Sequence, residues 1–101
     1  MGLVVVRLDC NGGKVDTVAD TENFLHRLLP PMDEDSDNLL AKVDWYGDTY
    51  FNYLQMKKFI SEWDRLAQRA QSLHEGEMIT RVRALAVRCH IDRGLLRFIG
   101  D

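Results

Sequence analysis

Val43-Asp44-Trp45-Tyr46-Gly47-Asp48-Thr49-Tyr50-Phe51-Asn52 joins a period-2 segment to the longest helical pattern in the chain and sets four aromatics beside two acids. Upstream, Leu39, Ala41, Val43 and Trp45 alternate with Leu40, Lys42, Asp44 and Tyr46, which predicts a two-faced strand over 39–46. Gly47 supplies the turn, and Thr49, Tyr50 and Phe51 read as a short return strand. Asn52 then opens a helix: its side chain can accept from the first-turn amides, while Gln55 reaches back in the manner of a capping box.

That helix is predicted over 53–73. Met56, Phe59, Ile60, Trp63, Leu66, Ala67, Ala70 and Leu73 recur at spacings of three and four, opposite Lys57, Lys58, Ser61, Asp64, Arg65, Gln68 and Arg69. His74-Glu75-Gly76 reads as its stop, with Glu77 opening a third helix over 77–92. Gly94 closes that helix, and Leu95-Leu96-Arg97-Phe98-Ile99 forms a last strand that brings the chain back into the sheet. Met78, Val82, Leu85, Ala86 and Cys89 make the core stripe of the third helix. Ala84, Val87 and Ile91 line up on its opposite side, so this helix needs either a second cover within the chain or a second copy.

Toward the N-terminus, residues 3–8 form a β-branched run that reads as a buried strand, closed by Asp9-Cys10-Asn11-Gly12-Gly13. A hairpin return over 14–18 is one reading, although Val15 and Val18 do not alternate cleanly. Asp20 or Thr21 can cap a short helix carrying Phe24, Leu25, Leu28 and Leu29, which Pro30-Pro31 ends. An acidic loop, Asp33-Glu34-Asp35-Ser36-Asp37-Asn38, follows. The expected architecture is a single α+β domain in the order β-α-β-β-α-α-β, its helices packed on one face of a small antiparallel or mixed sheet.

At 101 residues the chain can bury roughly 65% of its unfolded surface. An apolar fraction of 46% with 29% charged residues excludes wholesale disorder. No apolar run approaches the roughly 18 residues that a membrane span needs. The start lacks a basic leader and a long apolar segment, so a cytoplasmic location is expected. Two cysteines, Cys10 and Cys89, are too few for a disulfide framework. The net charge of −3 divides unevenly: residues 1–50 carry four bases against ten acids, residues 51–101 nine against six. Such a dipolar chain suits a basic protein partner more than nucleic acid. Arg81, Arg83, Arg88, Arg93 and Arg97 do not share one helical face, and no nucleic-acid binding is expected.

Asp33, Asp35, Asp37 and Asp44 fall in the register of an EF-hand loop, but Asn38 stands where glycine is needed and the flanks are not helices. Cys89, His90 and Asp92 diverge around a helix. Neither set points to a metal, and no cofactor is implied. Asp44 and Asp48 could face each other across the aromatic turn as an acid and base pair, but no nucleophile or histidine accompanies them. The leading expectation is a small interaction module, contacting its partner through Asp33, Glu34, Asp35 and Asp37 and through Trp45, Tyr46, Asp48 and Tyr50. Self-association through Ala84, Val87 and Ile91 is compatible with it, and an enzyme or ligand binder using Asp44 and Asp48 is the alternative.

In Tyr46-Gly47-Asp48-Thr49, Phe51-Asn52 and the ending Leu96-Arg97-Phe98-Ile99-Gly100-Asp101, the chain resembles a group of small actinobacterial proteins with a strand-first start and a similar ending. That resemblance implies no activity and no site residues. More distantly, the chain is similar to the small acidic immunity proteins that neutralise bacterial toxins, which would make it an inhibitor of a basic partner.

Overall fold

The computed structural model describes residues 2–100; Met1 and Asp101, which belong to the start and ending quoted above, lie outside them. Strand β1 (Val4–Leu8) turns through Asp9–Gly13 into β2 (Lys14–Ala19). The Asp9 carboxylate accepts from the amides of Asn11 and Gly13, both at 2.9 Å, and Gly12 takes φ 84°. Arg7 pairs with Asp16 but Leu8 with Lys14, so Val15 is an extra residue in the ladder. This bulge is why the valines of the hairpin return, expected only as one reading, do not alternate.

Asp20 is only 2% exposed, and its two carboxylate oxygens accept from Phe24 N at 2.9 Å and Leu25 N at 2.7 Å. It thereby satisfies the first amides of α1 (Phe24–Leu28). Strand β3 (Asp48–Asn52) is the expected return strand, with its capping box of Asn52 and Gln55 in place. A 3-10 turn (Tyr53–Gln55) leads into α2 (Met56–Ala67); α3 (Leu73–Asp92) and β4 (Leu95–Ile99) complete the chain. The four strands run β2-β1-β4-β3, antiparallel throughout, with the last strand in the middle of the sheet.

Three expectations are corrected. The predicted strand over 39–46 is a 3-10 turn (Leu39–Lys42) followed by a bend. Leu39, Leu40 and Ala41 are buried in succession, which no strand with a wet face permits. Asn38 Oδ1 and the buried Glu62 carboxylate both accept from Leu40 N, at 3.0 and 3.1 Å, and that bond holds the turn. The element order is therefore β-β-α-β-α-α-β. Helix α2 ends at Ala67 rather than at 73, and α3 starts at Leu73 rather than at Glu77. Ser72 Oγ accepts from Glu75 N at 3.1 Å, and Glu75 Oε1 accepts from Gln71 N at 2.8 Å. Ser72-Leu73-His74-Glu75 carries the spacing of a helix start, and Gly76 lies inside the first turn.

The core lies between the sheet and the helices. Phe98 and Phe51 meet edge to face at 5.9 Å, while Phe59 and Trp63 of α2 stack at 5.5 Å and 12°. Arg27 of α1 forms an ion pair with Glu75, which is 3% exposed, and Arg69 Nη1 donates to Leu28 O at 2.9 Å. These bonds tie the short α1 to the α2–α3 junction.

The Arg27 hydrogen bond, then the Gln71 amide, lower the Glu75 carboxyl from its ordinary 4.5. Because the folded state favours the ionised form, this stabilisation is complete above about pH 4.5 and is lost as pH falls through the lower folded pKa. Urea midpoints taken from pH 7 to 3 are expected to fall less steeply in Glu75→Gln than in the unaltered protein. Parallel curves would refute the coupling.

Candidate functional site

Residues of an antiparallel strand alternate between faces, and a sheet with one wet face alternates apolar with polar. Val5, Phe98, Phe51, Leu96 and Val18 point into the core. The alternate positions, Val4, Val6 and Leu8 of β1 and Leu95 and Ile99 of β4, point away from it and stand outside the core cluster. Strands β1 and β4 thus carry apolar residues on both sides, apart from Arg7 on the inner side of β1 and Arg97 on the outer side of β4; among the described residues the helices cover one side, and on the other Val6 is only 4% exposed. The β-branched run over 3–8, which reads as a buried strand, has Leu3, Val5, Val6 and Arg7 buried and Val4 and Leu8 partly exposed.

Arg97 lies at the centre of this outer face, opposite the buried Val6 on one side and Tyr50 on the other. Asp48 and Tyr50, two residues apart on β3, share the face with it. The Arg97 guanidinium lies 5.5 Å from the Tyr50 ring centroid, and Nη2 donates to Asp48 Oδ2 at 2.5 Å. The Asp48 hydrogen bond raises the arginine pKa above its ordinary value. Asp48 and Tyr50 occupy the guanidinium's Nη2 edge and ring face, yet Arg97 Nε is buried without a hydrogen-bond partner among the described residues. Thr17 Oγ1, on the other flank of Val6, is in the same condition. A depression of about 350 Å³, lined among others by Val4, Ala19, Ile99 and Gly100, continues the face at one end.

The expected contact residues divide. Tyr46 is 78% exposed and Tyr50 51%. Trp45 is half-buried, its ring edge-on to His26 at 4.6 Å and packed on the core, and its Nε1 is buried without a hydrogen-bond partner among the described residues. Asp33, Glu34, Asp35 and Asp37 are exposed on a loop held through its backbone: Asp33 N donates to Ala41 O at 2.7 Å, Lys42 Nζ to Glu34 O at 3.4 Å, and Lys58 Nζ to Asp37 O. No group of three metal-capable side chains converges among the described residues. Asp44 and Asp48 go to different partners: Asp44 Oδ1 accepts from Tyr46 N at 2.9 Å within its own turn, and Asp48 binds Arg97. Ala84 and Ile91 are exposed and Val87 half-buried on the outer side of α3.

The arginines form no common patch, since Arg83 chelates Asp64 at 2.7 and 3.3 Å while Arg97 is on the sheet. Cys89 is buried, and desolvation pushes its thiol up to about 11, so it stays protonated at neutral pH. Among the described residues no helix is long and apolar enough to cross a membrane. Reading the sequence for contacts passed over Val4, Val6, Leu8, Leu95, Arg97 and Ile99, although Val4-Val5-Val6 already carries the signal of a strand without a polar side. Comparison with protein-family models, with curated proteins and with solved structures finds no match for this chain.

Proposed function

We propose that this chain is a cytoplasmic protein-interaction module, an immunity- or antitoxin-like inhibitor, that docks its partner on the outer sheet face. The observation that carries the reading is the apolar outer surface of β1 and β4, centred on Arg97 and flanked by Tyr50. Val4, Leu8, Leu95 and Ile99 are partly exposed there, apolar surface that a partner can bury. Tyr46 and Tyr50 supply rigid aromatic contacts at the rim, the residue type that dominates binding energy at interfaces. The acidic loop 33–38 adds long-range attraction for a basic partner, acting on the association rate. Both cysteines are free, which suits a reducing compartment.

The test is affinity capture at low salt from lysate of the cells that make the protein. Binding of the purified captured partner is then measured against Tyr50→Ala and Ile99→Lys. Each variant is expected to weaken it by about tenfold or more. Reversing Asp33, Asp35 and Asp37 to lysine is expected to slow association and flatten its salt dependence. The reading is lost if both sheet-face variants bind like the unaltered protein.

A further inference from the structure

Helix α3 carries a second apolar face that is independent of the sheet. Its start at Leu73 extends the outer stripe beyond Ala84, Val87 and Ile91, so that Leu73, Gly76, Thr80, Ala84, Val87 and Ile91 follow one another at spacings of three or four. At 3.6 residues per turn they fall within about 80° of arc. Both ends are well exposed, Leu73 at 77% and Ile91 at 60%. A lone exposed leucine needs no explanation, but a stripe along a 20-residue helix that is also apolar on its buried side does.

We infer that this face packs against the same face of a second copy, antiparallel, about a two-fold axis passing beside position 82. Four of its six residues are symmetric about that position: Thr80 and Ala84 stand two residues either side, Leu73 and Ile91 nine. The axis therefore lays each Leu73 on Ile91 of the second copy and each Thr80 on Ala84, with Gly76 and the small central residues letting the helices approach closely.

Charge selects the same arrangement. Glu77 and Arg88 flank one edge of the stripe, five residues before and six after position 82. A two-fold axis between antiparallel helices sets like edge against like edge, so Glu77 of each copy meets Arg88 of the other, twice per dimer. A parallel pair would instead bring this edge against the one carrying Arg83 and His90, setting Arg88 among cations. Arg81 lies near the axis but farther round the helix, where its exposed side chain reaches water. Antiparallel packing also opposes the two helix dipoles.

A helix of this length spans about 30 Å, and a single helix pair lies at the small end of specific interfaces, so dissociation in the micromolar range is expected. Sedimentation equilibrium from about 10 µM to about 1 mM reads it, on Cys10→Ser protein so that no disulfide contributes. Glu77→Arg and Arg88→Glu are each expected to weaken the dimer by about tenfold, and E77R/R88E together to restore it to within about threefold of the parent. Leu73→Lys with Ile91→Lys abolishes it. All these side chains are exposed, so the monomer fold is unaffected, which circular dichroism checks. A protein that stays monomeric at the highest concentration overturns the inference. So does a dimer that the charge reversals leave unchanged, or that the double reversal does not rescue.

Discussion

Trp63→Ala is expected to remove about 3–5 kcal/mol of unfolding free energy, a large share of the roughly 5–15 kcal/mol typical of a domain this size. Trp63 is fully buried, stacks on Phe59 at 5.5 Å, lies 6.5 Å from Phe98, and donates from Nε1 to Ile79 O at 2.9 Å. It is thus the point at which α2, α3 and the sheet meet, and its loss leaves a cavity that three elements border. The midpoint of thermal unfolding, followed by far-ultraviolet circular dichroism, should drop by roughly 15–30 °C. Trp63→Phe keeps most of the volume and loses the indole donor, which should cost about 1–2 kcal/mol and serves if the alanine variant does not fold. A shift under about 5 °C for the alanine variant would mean that the core is not centred here.

The second large effect is expected at Gly94. A Cβ there would stand 2.0 Å from Leu8 O and 3.1 Å from Leu8 C, inside backbone rather than against a side chain that could swing away. Neither side can retreat: Leu8 is laddered to Leu95, and Gly94 N donates to Cys89 O at 3.1 Å behind Arg93, whose φ of 56° ends α3. Gly94→Ala should therefore destabilise by about 3 kcal/mol or more, at the upper end of overpacking costs, and it should loosen β4, which carries Leu95, Arg97 and Ile99 of the proposed contact face. Gly76→Ala is the control, because nothing lies within 4 Å of its Cβ and the site is helical. That change should stabilise by about 0.5–1 kcal/mol. Equal urea midpoints for the two variants would refute the steric argument.

Features of the site were legible in proportion to how local their cause is. The capping box of Asn52 and Gln55 and the cap from Asp20 depend on residues at most five apart, and each is where the sequence puts it. Tyr46 and Tyr50 were legible as aromatics but not as exposed ones, and the half-burial of Trp45 depends on where α1 sets His26. The role of Arg97 could not be read, because its partners Asp48 and Tyr50 are more than 40 residues away across the β3–β4 ladder. The boundary between α2 and α3 was legible and was misread: Ser72 and Glu75 mark a helix start, while the glycine that suggested a stop is tolerated inside the first turn.

By itself the sequence determined the α+β class, the amphipathic α2, the double-faced α3 and the return of the last strand to the sheet, since periodicity and capping are encoded within a few residues. Only the tertiary structure decided that 39–46 turns instead of extending. Whether alternating apolar residues form a strand depends on finding an edge to pair with, and β4 pairs with β1 and β3 while Glu62 takes up the Leu40 amide. Only the tertiary structure, too, decided which side of β1, apolar but for Arg7, the helices cover. The sequence states that both faces avoid water, and the fold supplies the helices for one of them.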